Sequence, residues 1–433
     1  MGLANGVDLR PQPASAVVKA GARFHYAYVV VLLASLTMLG AQGFLRFGYA
    51  MILPSLRADL GLTFTQTGML ATVHYVGYTL AAISLGWVVF RFGYRHTITF
   101  GTVTVGLAMI LFGLAPNYET ALVLMAIAGA CGLVSTSPAI ALATAWFVRQ
   151  RRGRAMGAIS AGGPVGSLIT GLLIPPLIVA LGVVGWRYGW SVLGVAVVLF
   201  GVLDAFFLRN RPADLGLLPF GATSETEREY EPERVDLGKV YRSPTVWYLA
   251  VLGMASALSN ISFVTFFTAY LLEQRGFTAE GAGQLWALSG VIGIASGFMW
   301  GGISDRVGRQ LALIVVYAIQ AVSFGLFAWG GSPWVFLLCT FLYGLTARAN
   351  IALMAAFCGD LLGPQLAAAS FGVNNILGGV GLGLGPALAG YIADTTNSFT
   401  PAFWGSAVVA LLGALGSALL REQPHSRSGQ SVR

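Results

Sequence analysis

The chain has 433 residues, of which 56% are hydrophobic and only 10% charged, with a mean hydropathy of +0.75. Soluble domains carry roughly 25% charged residues, so this composition excludes a water-soluble globular protein and points to a chain solvated by lipid. The net charge of +8 would suit nucleic acid, but the basic residues punctuate apolar runs instead of clustering, which excludes that partner.

A membrane-spanning helix needs about 20 predominantly apolar residues. In chain order, that ruler predicts twelve helices, over 26–56, 65–90, 97–115, 119–148, 155–181, 188–208, 245–272, 281–303, 311–330, 333–358, 367–392 and 401–420. The stretch 1–23 is polar, and the first apolar run is too long for the h-region of a signal peptide. Between the sixth and seventh predicted helices, Glu225, Glu227, Glu229, Glu231 and Glu233 alternate near Pro219 and Pro232. This reads as a solvated linker with room for a short surface helix. The expected organisation is an N-terminal six-helix bundle over 1–208, a linker over 209–243, and a C-terminal six-helix bundle with a tail over 244–433.

Orientation follows from the basic residues. With both termini cytoplasmic, the inside segments hold twenty of the 25, among them Arg91 and Arg95, Arg149 to Arg154, and Arg306 and Arg309. Only Arg57, Arg187 and Arg275 fall outside, while Arg46 and Arg348 lie within helices. This is the positive-inside pattern, expected of a multi-pass protein of the inner or plasma membrane. Cys131, Cys339 and Cys358 lie in apolar runs without C-x-x-C spacing and read as packing residues. H-E-x-x-H, G-x-S-x-G and Walker patterns are absent. Neither an enzyme, nor a metal site, nor a cofactor is expected.

One spacing recurs. Gly86, Arg91 and Gly93 stand 215 residues before Gly301, Arg306 and Gly308. The same offset relates Gly61-Leu62-Thr63 to Gly276-Phe277-Thr278, and Gly157, Gly163 and Gly166 to Gly372, Gly378 and Gly381. Two parallel six-helix halves follow. The segment Gly301-Gly-Ile-Ser-Asp-Arg-Val-Gly-Arg309, between the eighth and ninth predicted helices, has the pattern G-x-x-x-D-R-x-G-R. It resembles the signature loop of the major facilitator superfamily (MFS). That resemblance implies an all-α membrane protein of the MFS fold, twelve transmembrane helices in two halves, with a substrate site between them near the midplane. It also implies that Asp305, Arg306 and Arg309, with Arg91 and Arg95 in the N-terminal copy, help hold the cytoplasmic side closed. Phe90 occupies the aspartate position of that copy, so the Asp305 copy is the expected stronger latch.

Further stretches resemble bacterial members of the monocarboxylate transporter and oxalate/formate exchanger group. They are Phe24-His-Tyr-Ala-Tyr-Val-Val-Val31, Arg152-Gly-Arg-Ala-Met-Gly-Ala-Ile-Ser-Ala-Gly162, Arg211-Pro-Ala-Asp-Leu-Gly-Leu-Leu-Pro219, Asp360-Leu-Leu-Gly363 and Gly385-Pro-Ala-Leu-Ala-Gly390. The chain departs from that group in the eighth helix, where a carboxylate-binding arginine would be; Gly297 stands there.

Arg46 and Arg348 are the candidate substrate clamp. Each costs about 2.5–3.5 kcal/mol at a helix centre on insertion scales, and each offers the planar fork that matches a carboxylate. The alternative is a buried arginine that fixes helix packing through carbonyls or tyrosine hydroxyls. No carboxylate sits mid-helix in the first, fourth, seventh or tenth predicted helices. The implied cavity is positive and favours an anion. Asp204 reads as a group near the cytoplasmic end of the sixth helix, paired with a signature-loop arginine. His74, with Tyr78 one helical turn on, is either a proton relay or a structural histidine. Gln42, Asn260, Asn350, Asn374 and Asn375 are candidate polar residues of the cavity, or helix–helix bonding groups. The expected function is secondary active transport of a small organic anion, most simply a monocarboxylate, by proton symport or anion exchange in a monomer. The competing reading is an exporter of neutral or amphipathic compounds in which both arginines are structural.

Overall fold

In a computed structural model of the protein, residues 25–222, 238–363 and 366–420 are described. The acidic part of the linker, both tails and the basic residues within them lie outside that set. Twelve helices traverse the molecule, and the numbering α1–α12 follows chain order. They are α1 (Ala27–Leu60), α2 (64–92), α3 (94–113), α4 (Tyr118–Trp146), α5 (149–181), α6 (Gly185–Phe207), α7 (Pro244–Arg275), α8 (Ala279–Val307), α9 (Arg309–Trp329), α10 (Pro333–Leu362), α11 (Ala367–Thr396) and α12 (Thr400–Ala418). Most are long and apolar enough to cross a membrane individually. Among the described residues the only extended pairing is an isolated bridge between Phe147 and Phe220.

Local chemistry explains the helix ends. Thr63 accepts from the Gln66 amide at 3.1 Å while Gln66 returns a bond to the Thr63 amide at 2.9 Å, a full capping box at the start of α2. Asn117 caps α4 and Thr278 caps α8 in the simpler way, each at 3.0–3.1 Å. Pro244 and Pro333 occupy first turns, where a missing amide costs nothing. Exposed apolar residues such as Val192, Leu199 and Phe206 on α6 recur at intervals of seven. A helix can present that face to lipid because its backbone bonds are satisfied internally.

The repeat appears in the backbone as well as in the sequence. Gly61 and Gly276, 215 positions apart, both close their helices in the left-handed region, at φ 63° and 69°. Gly93 and Gly308, at the same offset, form the α2–α3 and α8–α9 turns at φ 75° and 96°. The packing repeats too. Gly166 of α5 lies against Gly43 of α1, and Gly381 of α11 lies against Met254 and Leu258 of α7.

The signature segment is less of a loop than its glycines suggest. Helix α8 continues to Val307 and Gly308 alone makes the reversal. Part of the linker is likewise docked rather than solvated. The Phe220 amide donates to the Trp146 carbonyl at 2.8 Å. The Phe220 ring is surrounded by His25, Tyr28, Phe147 and the Arg151 guanidinium.

The two halves meet mainly at the end of the molecule away from the chain termini. There Asp394 of α11 accepts from the free amides of Phe64 (3.0 Å) and Thr65 (2.7 Å) at the start of α2, and from the Thr65 hydroxyl. Arg57 of α1 pairs with Glu273 of α7 at 3.0 Å and lies 3.9 Å from the Phe64 ring centre. Helices α5 and α8 approach closely at Gly171 and Gly283, and α2 and α11 at Gly68 and Pro386. Contact between α2 and α11 persists to Thr79 and Gly379, but Gly372 and Gly378, nearer the terminal end, face open space. On the same side Trp87 and Phe90 of α2 are exposed. The cleft between the halves is therefore closed at the far end; toward the terminal end α2 and α11 part, while α5 stays against α8, where the Phe298 ring fills the place of a Gly157 side chain.

Candidate functional site

Both mid-helix arginines sit where their helices lose regular geometry. Residues Leu39–Phe47 of α1 form a π-helix nine residues long, and Arg46 lies on it. Gln42 stands four residues before Arg46, and its Oε1 accepts from the Arg46 Nη1 at 3.4 Å. Such π segments recur at functional positions because they re-aim side chains. Helix α10 breaks at Ala347–Arg348, and Arg348 itself precedes the second segment, Ala349–Leu362. The freed Leu345 carbonyl accepts from Ser296 Oγ (2.9 Å) and Trp300 Nε1 (2.8 Å) of α8, while the Arg348 amide donates to Ser296 Oγ at 3.3 Å. A break inside the membrane is tolerable because these groups satisfy it.

The arginines approach each other from opposite halves. Arg46 Cζ lies 5.4 Å and Arg348 Cζ 5.7 Å from the centre of the same Phe47 ring. Arg46 is also 5.5 Å from the Tyr75 ring centre. The hydroxyls of Tyr78 and Tyr343 stand within electrostatic reach of both guanidinium groups. Asn260 adjoins the Tyr343 hydroxyl, and Thr136 that of Tyr78. Among the described residues neither arginine has a carboxylate partner, and the buried Arg46 Nε and Arg348 Nη2 have no hydrogen-bond partner at all. Gly163 of α5 leaves the space that Arg348 Nη2 occupies.

Arg46, Tyr49, His74, Tyr75 and Thr265 also line a small pocket of about 10 Å³, room for one water. His74 is buried, edge-on to Tyr75 with ring centres 4.9 Å apart, and its Nδ1 is unpartnered.

The other expected site residues divide. Gln42, His74, Tyr78 and Asn260 gather around the arginines. Asn350 does not; its amide donates to Ser256 (2.6 Å) and Gln320 (2.9 Å), joining α7, α9 and α10 inside the C-terminal half. Asn374 is buried against Gly253 of α7, whose missing side chain makes the room, and Asn375 is exposed. Asp204 is fully buried and accepts from Thr37 of α1 at 2.8 Å. The arginine of the nearby turn, Arg95, instead donates to the Ala205 carbonyl from Nε at 3.1 Å. Asp305 pairs with Arg309 at 2.6 Å, and Arg309 also reaches Asp360 at 3.0 Å, all within the C-terminal half. Arg91 and Arg306 are exposed. Tyr343, Phe47 and Thr136 join the site without having been singled out in the sequence. Aromatic and hydroxyl residues in apolar helices are too common to signal their neighbours.

A family model described as Major Facilitator Superfamily matches residues 35–381 and 321–433. The chain is similar to the hexuronate transporter of Bacillus subtilis, 24% identical over 84% of this chain and 87% of that one. It is also similar to a protein named "Probable sulfoacetate transporter" in Cupriavidus necator, 23% identical over 89% and 93% of the two chains. Among solved structures, a bacterial homologue of the human lysosomal transporter Spinster, inward-facing and occupied, aligns with a TM-score of 0.71 at 15% identity, over 92% of this chain and 97% of that one. The nucleoside transporter NupG aligns with a TM-score of 0.71 at 11% identity, over 90% and 99%. At these identities the structural matches speak to the fold alone.

Proposed function

The chain belongs to the major facilitator superfamily, a family of membrane transporters and not of enzymes, and on that premise we propose that Arg348 and Arg46 bind a small organic anion for transport by alternating access. One observation carries the reading. Two arginines from opposite halves converge in the cleft with unpartnered nitrogens and, among the described residues, no carboxylate to neutralise them. Arg46 keeps bonds to Gln42 and the Tyr75 hydroxyl, but the buried Arg348 Nη2 lacks the carbonyl or hydroxyl partner that an arginine serving only to fix helix packing would have. The anionic cargoes in the names of the hexuronate and sulfoacetate transporters support the same class.

The cargo is a carboxylate, the minimal case being a monocarboxylate, moved by proton symport or by exchange against another anion. Gln42, Tyr78 and Asn260 complete the binding site, and His74 is the group placed to relay a proton. The cell membrane holds the protein with both termini on the cytoplasmic side, so the cleft described above opens inward. In the opposite state Asp305, Arg306 and Arg309, with Arg91, Arg95 and Asp204, belong to the cytoplasmic closure.

Uptake of labelled lactate, pyruvate, formate and oxalate into proteoliposomes tests this, with and without an inward proton gradient or internal counter-anion. Truncating one member of a buried charged pair costs about 2–5 kcal/mol. Arg348→Gln is therefore expected to weaken saturable uptake at least ~30-fold. No uptake of any acid by folded wild-type protein would overturn the proposal.

A further inference from the structure

The charge in the cleft says more than that the cargo is negative. Arg46 belongs to one half and Arg348 to the other, and each keeps an unpartnered nitrogen. Acids at the ends of the helices are committed to other partners: Asp204 to Thr37, Asp394 to the start of α2, Glu273 to Arg57 and Asp59 to Arg187. While the cleft is open both residues are only half-buried, within reach of water. Alternating access passes through a state sealed at both ends, where water no longer screens them and an uncompensated charge is strongly unfavourable. A monoanion neutralises one guanidinium and leaves the other. A dianion neutralises both.

Geometry bounds the size of that cargo. Both guanidinium carbons lie near the same Phe47 ring, at 5.4 and 5.7 Å from its centre, so they are no more than about 11 Å apart. A bidentate fork puts a guanidinium carbon about 4 Å from its carboxylate carbon. Two forks leave at most about 3 Å between the anionic groups, which one carbon spans with two bonds of roughly 1.5 Å, or two carbons in a bent, gauche chain. The wall between the arginines carries the neutral hydroxyls and amide of Tyr78, Tyr343 and Asn260, suited to a polar but uncharged middle.

We infer that the cargo is a compact dianion, its two anionic groups separated by one or two carbons, with one group on Arg46 and the other on Arg348. The inference rests on the anion-carrier reading above. The second group is a carboxylate or a sulfonate, which present the same charge to the guanidinium.

Binding to the purified full-length protein tests it, by calorimetry at a pH where every acid is ionised. The probes are malonate, succinate and sulfoacetate, the matched monoanions propionate, butyrate and acetate, and the longer dianion adipate. Wild type is expected to bind malonate, and succinate or sulfoacetate, at least ~10-fold more tightly than the matched monoanion. Arg46→Gln and Arg348→Gln should each erase that advantage, and Arg46→Lys should restore part of it. The wild-type series decides alone if a variant fails to fold. Monoanions bound as tightly as dianions would overturn the dianion inference and leave the anion carrier standing. Adipate bound as tightly as succinate would overturn the compact spacing. Binding of none of them would overturn both readings together.

Discussion

Arg46 and Arg348 were visible in the sequence because a lipid-solvated helix tolerates an arginine only where something answers its charge. The asparagines divide. Asn260 stands in the cleft beside Tyr343, whereas Asn350 is bonded to Ser256 and Gln320 inside one half. A neutral amide is at home in either place, so its sequence position does not separate them. An arginine is harder to satisfy away from a polar cavity, and its position says more. Glycines are legible only through their neighbours. At Gly43 a Cβ would stand 2.7 Å from the Gly166 Cα, and backbone cannot yield as a flexible side chain would. Gly43→Val is expected to destabilise the fold by about 1–3 kcal/mol through overpacking, measurable as a lower melting temperature in detergent. Gly61, whose Cβ would meet nothing, would suffer from its positive φ instead.

Helices α1 and α10 carry the two arginines, and each departs from a regular rod where it does so. Neither the π segment of α1 nor the break in α10 contains a proline, and a hydropathy window averages over their few polar residues, so no bend is marked in the sequence. The break becomes intelligible through α8, where Ser296 and Trp300 bond the carbonyl it frees. The start of α2 offers a different lesson. Its free amides are answered by Asp394 from the other half, a helix N-terminus capped in trans by an anion. The signature segment carries a local pattern, whereas this pairing 330 residues apart has none. Asp394→Ala is expected to loosen the far end and expose the α2–α11 seam, where the Thr72 hydroxyl donates to the Gly383 carbonyl at 2.6 Å. With Cys131, Cys339 and Cys358 replaced by alanine, a Thr72→Cys reporter should react faster with an impermeant maleimide applied from the far side when Asp394→Ala is present. An unchanged rate would show that Asp394 does not hold that seam.

Across the whole molecule, the two halves are joined at the far end, while toward the termini α2 and α11 part and α5 stays against α8 at Gly157 and Phe298, a one-sided opening of the kind alternating access uses. The Arg57–Glu273 pair bridges the halves at the closed end. Both side chains are 28% exposed, so the pair itself contributes no more than about 1 kcal/mol. Its position matters more than its strength. Arg57→Cys and Glu273→Cys joined by a short bis-maleimide should hold the far end shut and abolish transport, while either single variant treated the same way stays active. Continued transport by the cross-linked protein would mean that the far end need not open. The same test applied to detergent-solubilised protein should leave anion binding intact, because the cleft stays open toward the termini.

The sequence by itself determined the twelve helices, their grouping into two repeated halves, the membrane as solvent and the two arginines as the residues to explain. Each of these rests on composition, period or offset, which are properties of the chain read locally or against itself. The tertiary structure alone decided that the arginines converge on Phe47, that Asn350 and Asp204 bond within their own halves, and that Asp394 answers the start of α2 at the far end. Those facts depend on which helices become neighbours and on where they bend, and packing between distant segments sets both.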